Sequence, residues 1–236
     1  MSRAATPFGR HPRPHRTVGR SGAGAADDQH VSGGDMSAAL DALLVQIRAC
    51  AVCADLPHGP RPVVQAGAGA RVLIIGQAPG SRVHASGIPW DDDSGDRLRD
   101  WTGLDKNVFY DASRVALMPM GFCYPGKGAS ADLPPRSECA PLWHDRLRAA
   151  LPDVQLTLLV GHHAQAHYLP RVAGRTMTQA VQLFASAPAG FLPLPHPSWR
   201  STGWMRKNRW FEADLLPVLR ARVAAALGPD PNVIMV

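Results

Sequence analysis

The sequence predicts an α/β fold of three layers (α/β/α), with a central, mostly parallel four-stranded sheet and helices on both faces. Three observations predict it. Four short apolar runs, RVLIIG (71–76), RVALMP (114–119), QLTLLVG (155–161) and GFLPLP (190–195), have the aliphatic density of strands covered on both faces. Segments with apolar residues at helical spacing lie between them. Strands and helices that alternate in this way indicate a doubly wound sheet.

Taken in order, residues 1–35 are rich in Gly, Pro, Arg and Ala and show no periodicity. They are expected to form a disordered basic arm, either adding sequence-independent affinity for phosphates or having no function. Met36 could open the folded domain, expected over 36–228, with 229–236 as a tail. A first helix is expected through SAALDALLVQIRAC, after a Ser37 cap and ending near Cys50. Further helical patterns run from Asp96 to Trp101, Glu138 to Leu151, His163 to Tyr168, Met177 to Phe184 and Arg209 to Leu227. There are no internal repeats.

A chain of 236 residues with 45% hydrophobic content suits one globular domain. Its net charge of +6 favours a polyanionic partner, although solubility also accounts for such an excess. No apolar run approaches the roughly 20 residues that span a bilayer, and the N-terminus has no apolar signal region, so a cytoplasmic location is expected. In that reducing compartment the four cysteines favour metal binding over disulfides.

Ligands of such sheets bind beyond the carboxyl ends of the strands. There the first strand runs into Gly76-Gln77-Ala78-Pro79-Gly80, and the last runs into His196-Pro197-Ser198-Trp199-Arg200. The first loop lacks the Lys and Ser or Thr of a phosphate loop and the third glycine of a dinucleotide fingerprint. The second holds His196 between two prolines, which bias the chain to extended geometry. Arg200, Arg206, Lys207 and Arg209 follow, interleaved with Trp199, Trp204 and Trp210. Cations among aromatics suit a loop that grips phosphates while a bulky side chain probes the base stack; equally, the tryptophans could pack a final helix.

These stretches resemble the uracil-DNA glycosylase superfamily, most closely its iron–sulfur members, families 4 and 5. The resemblance covers about residues 40–225. The cysteines, Cys50-x2-Cys53 and Cys123-x15-Cys139, match the order and spacing of the iron–sulfur members. The resemblance therefore implies a structural [4Fe–4S] cluster, with zinc as the competing occupant. It also implies that Gly76, Gln77, Ala78, Pro79 and Gly80 line a base pocket and that Trp90, in SGIPWDDDSGDRL, stacks on an extruded base. By the same resemblance His196 hydrogen-bonds the leaving base, and the His-Pro-Ser loop enters the DNA minor groove. The expected partner is DNA containing uracil or another deaminated base, and the expected state a monomer.

The sequence departs from family 4 at two positions. Gln77 stands where those enzymes carry Glu, and an amide orients a water without accepting its proton. The nearest substitutes are Asp91 and Asp92, which could instead cap a helix starting near Asp96. Pro119 stands where family 4 reads uracil with Asn, so specificity extending to deaminated purines, as in family 5, is expected. His162, His163 and His167 are expected to be ordinary surface or pocket-edge residues. Lys127 and Arg136 are expected either to touch DNA phosphate or to be solvated. Two rivals remain open: a uracil-DNA binding or covalently trapping protein without turnover, and a zinc-stabilised nucleic-acid binding module.

Overall fold

The computed structural model describes residues 33–172 and 174–229. The expected arm therefore lies outside the described residues over 1–32, as does the tail over 230–236. The first helix, α1 (Gly33–Arg48), starts earlier than expected and runs through Ser37, which is thus inside the helix and not its cap. Asp35 supplies a carboxylate to its first turn and Arg48 a cation to its last, both favourable to the helix dipole. Leu40, Leu43, Leu44 and Ile47 form its buried stripe.

The elements that follow are β1 (Val72–Ile75), α2 (Ser81–Ser86), α3 (Asp93–Thr102), α4 (Lys106–Tyr110) and β2 (Val115–Leu117). Next come α5 (Asp145–Ala149), β3 (Leu156–Val160), α6 (His162–Tyr168), α7 (Met177–Gln182), β4 (Phe191–Leu194), α8 (Ser201–Lys207) and α9 (Leu216–Leu227). The four strands form one sheet in the order β2-β1-β3-β4, and every pairing is parallel. Leu73 sits opposite Ala116 on one side and Thr157 on the other, and Thr157 opposite Phe191.

Alternation along β1 divides the core into two layers. Val72 and Ile74 face a cluster with Leu98, Trp101, Phe211, Leu219 and Val223, contributed by α3, the turn before α9, and α9. Leu73 and Ile75 face the other cluster with Leu40, Leu44, Ile47, Leu147 and Ala164, from α1, α5 and α6. Each such side chain contributes about 1.5–3 kcal/mol when fully buried. This two-sided burial is why the strands read as continuous apolar runs. Pro193 is tolerated in β4 because that strand is at the edge.

The opposite edge, β2, is closed by Gln65. Its N–H donates to Leu117 O at 3.1 Å and its carbonyl accepts from Leu117 N at 2.8 Å. Its side-chain Nε2 donates to Val115 O at 2.9 Å, so the ladder is finished rather than left open to a second chain.

The helix expected from Glu138 to Leu151 opens as a π-helical turn (Ala140–His144) and becomes α-helical only at Asp145. Pro141 within that turn has no N–H to give the regular ladder. A second π turn, Phe211–Leu215, leads into α9 in the same way, next to Pro217. The short helices α2, α4 and α8 show too few turns for a periodic signal and escape the sequence reading. Among the described residues, no helix is long and apolar enough to cross a membrane.

Candidate functional site

The carboxyl ends of β1 and β4 open onto a cavity of about 460 Å³. Its walls include Gly76, Gln77, Ala78, Pro79 and Gly80 after β1, Trp90 and Asp92 before α3, and His196, Ser198, Trp199 and Arg200 after β4. Residues far apart in sequence thus meet in one place because parallel strands end on one side of the sheet.

The loop after β1 is pinned through its carbonyls: Met120 N donates to Gly76 O at 2.9 Å and Gly121 N to Gln77 O at 3.0 Å. Gln77 lines the cavity, and its side chain makes no hydrogen bond among the described residues. Trp90 lies across this loop with φ +58°, the only positive value among the described non-glycine residues. A bulky residue there costs about 1–3 kcal/mol and persists only where its surroundings hold it. Here Tyr110 Oη donates to Trp90 O at 3.3 Å. Gly95 lets α3 pass beneath that carbonyl, since a β-carbon on Gly95 would lie 1.8 Å from it. Burial raises the Tyr110 pKa, keeping the phenol a donor.

His196 stands 6.0 Å from Trp90 between ring centroids. Its backbone is fixed by Ser201 Oγ, which donates to His196 O, and by Arg97, which donates to Ser198 O. Gly161, at φ +86°, ends β3 close beneath it, where a β-carbon would sit 3.5 Å from His196 Cβ. Burial lowers the imidazole pKa, while the carboxylates of Asp92 and Asp132 oppose that shift. The ring makes no hydrogen bond among the described residues, so a neutral imidazole offers one donor and one acceptor to the cavity.

The three aspartates after Trp90 have separate fates. Asp92 Oδ1 accepts from Gly95 N at 2.9 Å and caps α3, which begins at Asp93 rather than near Asp96. Asp92 also lines the cavity. Asp91 closes a turn through its N–H to Ile88 O and does not line the cavity; Asp93 pairs outward with Arg82 at 2.7 Å.

Asp132 was invisible to the sequence reading, since a single acid in KGASADL carries no pattern. It sits on a hairpin in which Lys127 and Asp132 form a β-bridge, at the cavity mouth with Ser130, Ala131 and Leu133. Arg200 donates to Ser130 O at 2.9 Å and lies 5.4 Å from the Trp199 ring centre, tying the hairpin to the His196 loop. Lys127 is exposed on the same hairpin.

The aromatic residues near the second loop divide. Trp199 is 76% exposed. Trp204 and Trp210 turn inward onto Phe211 and each other, and Trp204 Nε1 donates to Thr178 at 2.7 Å. Pro197 is buried, and Arg206 and Lys207 are exposed in the last turn of α8. Arg209 pairs loosely with Glu212 at 3.5 Å. None of these four lines the cavity.

Behind the cavity, Pro119 O accepts from Nε2 of buried His144 at 3.2 Å, and His144 Nδ1 accepts from Tyr168 Oη at 2.6 Å. Burial pushes the His144 pKa down to about 4, so this neutral ring holds the cavity floor in place. His144 was also missed; nothing in LWHDR marks it. His167 packs edge-on against His144 and Tyr168, and His162 against His163.

Cys53, Cys123 and Cys139 are buried and Cys50 is half-buried. Burial pushes the Cys123 thiol up to about 11, and its three fellow cysteines, close enough to interact, push the same way. Backbone N–H groups of Arg61 and Phe122 point at Cys123 and Cys139. Arg136 binds Asp55 at 2.9 and 3.2 Å and Glu138 at 2.8 Å, clamping the segments that carry Cys53 and Cys139. Arg136 is thus committed to this clamp. As placed, no three His, Cys, Asp or Glu among the described residues form a metal-holding group.

Compared with known families, residues 64–220 match the sequence model described as the Uracil DNA glycosylase superfamily. The matched span contains every residue that lines the cavity except Val63, the third and fourth cysteines and all four strands.

Proposed function

Because the chain belongs to the uracil-DNA glycosylase superfamily, we propose that it is a monofunctional DNA glycosylase that hydrolyses the N-glycosidic bond of uracil or a related deaminated base. It leaves an abasic site in DNA. The observation that carries this reading is the cavity itself, in which a strained Trp90, the Gln77 amide and a neutral His196 face one space.

A base removed from DNA must first leave the stack. Trp199, exposed beside Arg200 at the lip, suits a wedge that fills the gap left behind. The Trp90 ring offers the extruded base a π-face, worth about 1–3 kcal/mol and largely indifferent to base identity. As the glycosidic bond breaks, negative charge grows on the base and positive charge on the sugar. The lowered pKa of His196 suits it to donate a hydrogen bond to the base as a neutral ring. Gln77 orients the water.

The Pro119 carbonyl already accepts from His144, and proline has no side-chain amide to read the edge of uracil. Selectivity therefore rests on shape and on the Gln77 and His196 contacts, favouring a range that includes hypoxanthine or xanthine.

We further propose that Cys50, Cys53, Cys123 and Cys139 hold a [4Fe–4S] cluster, with zinc as the rival occupant. The fit lies in the donor set: sulfurs close enough to interact, backbone N–H groups aimed at two of them, and Arg136 against Cys53. Such a group supplies a structural cross-link between the two cysteine pairs, since hydrolysis moves no electrons.

Gln77, lacking a carboxylate, favours a second reading: a protein that holds or traps the damaged site without turnover. Single-turnover incubation with oligonucleotides containing uracil, hypoxanthine or xanthine separates the two. Cleavage after alkali, abolished by His196→Ala, supports the glycosylase; a covalently shifted band without cleavage supports trapping. Neither signal, from an iron-replete sample, rules out both for these bases.

A further inference from the structure

We propose that Asp132 is a catalytic carboxylate that accepts the proton of the attacking water, with Asp92 beside it as a second negative charge facing the sugar. This rests on the glycosylase reading above.

The placement of the two acids carries the proposal. A β-carbon on Gly80 would lie 3.6 Å from Asp132 Oδ2 and 3.9 Å from Asp92 Oδ2. Acids from two distant segments therefore direct one oxygen each at the same small space above the loop that carries Gln77. In both, the other oxygen is engaged. Asp132 Oδ1 accepts from the hydroxyl of buried Tyr124 at 3.3 Å, and Asp92 Oδ1 accepts from Gly95 N at 2.9 Å. Anchoring one oxygen fixes the direction of its partner, which is what positioning a water requires. Glycine at position 80 leaves this space open, and a side chain there would fill it.

The two acids differ in what they can give up. Asp92 caps α3, beneath the strained Trp90, so its charge also serves the helix end. Asp132 has no such duty; its backbone is set by the hairpin bridge to Lys127, and the hairpin by Arg200 on Ser130 O. Asp132 is exposed at the mouth of the cavity, so bound DNA would complete its enclosure. Both carboxylates also act on His196 across the cavity, which places them on the reacting side.

The step balances without a co-reactant. Water oxygen bonds to C1′ of the sugar while the C1′–N bond breaks, and the bonding pair leaves with the base. One water proton passes to Asp132 and then to solvent or the departing base. Gln77 directs the water but cannot take this proton, and Asp132 supplies what the amide lacks.

The test combines turnover and binding. Single-turnover cleavage of the preferred base is measured for wild type, Asp132→Asn, Asp132→Glu and, as a charge control, Asp153→Asn, an exposed acid that does not line the cavity. Asp132→Asn is expected to lower the rate by roughly 10²-fold, the low end for general-base loss. It should also remove the acidic limb of the pH–rate profile; Asp132→Glu should recover part of the rate and Asp153→Asn should leave it unchanged. In parallel, binding is measured to DNA carrying a cationic pyrrolidine in place of the sugar, against DNA carrying a neutral tetrahydrofuran. Wild type should prefer the cation, and Asp132→Asn should lose most of that preference while binding the neutral analogue as before. Active wild type with an undiminished Asp132→Asn rate and pH profile overturns the assignment and leaves the glycosylase reading intact. Wild type that cleaves none of the bases and does not prefer the cation overturns both.

Discussion

The Trp90 ring lies so close to Gly76 that a β-carbon there would come within 2.6 Å of it. One residue follows β1 and the other precedes α3, and both line the cavity.

Gly76→Ala should expel the Trp90 ring. Overpacking of this kind costs about 1–3 kcal/mol, and the expected outcome is a protein that melts lower and binds lesion DNA more weakly. Thermal melts with fluorescence titration of an abasic-analogue duplex check it; unchanged values for both would mean that the ring has room to move.

Trp199→Ala should separate function from stability. The side chain is 76% exposed, so its loss should change stability by no more than about 0.5 kcal/mol. Cleavage of lesions in double-stranded DNA should nevertheless fall at least tenfold, with a smaller loss on single strands, where less unstacking is needed. Equal losses on both substrates would argue against a wedge.

His144 makes stability depend on pH. Its folded pKa, pushed down by burial to about 4, lies below the ordinary value of 6.5, so the unfolded chain binds the proton more readily. Stability is therefore full above pH 6.5 and declines as pH falls toward 4, by on the order of 3 kcal/mol in total. Urea unfolding across that range should show the slope, and His144→Phe should flatten it. An unchanged slope in the variant would assign the dependence elsewhere.

Anaerobically purified protein should contain iron and acid-labile sulfide in about equal amounts, as a [4Fe–4S] cluster requires. Cys123→Ser should lose most of both and unfold at lower denaturant. Stoichiometric zinc without sulfide would favour the rival occupant. Arg136→Met should weaken retention of the metal without abolishing it, because the clamp joins Asp55 and Glu138 beside the cysteines without using a sulfur.

The layers, the four strands and the two loops at the end of the sheet were legible because they depend on local chemistry. Strands buried on both faces must be apolar throughout, and turns such as GQAPG and LPHPS need Gly and Pro for backbone reasons. Helix starts were less legible: Ser37 reads as a cap but lies inside α1, and the true start of α3 depends on which of three aspartates meets Gly95. The tryptophans after β4 look alike in sequence, yet only Trp199 stays outside, because Phe211 gives Trp204 and Trp210 something to pack on.

By itself, then, the sequence determined the α/β class, the sheet edge where chemistry would sit, and the placement there of Gln77 and His196, since each follows from periodicity or from residues that restrict the backbone. Tertiary structure alone decided that Asp92 and Asp132 share a space above Gly80, that His144 holds Pro119, that Arg136 is a clamp and that Trp90 is strained. These are relations between residues far apart in the chain, and no local pattern encodes the distance at which two side chains meet once the sheet has closed.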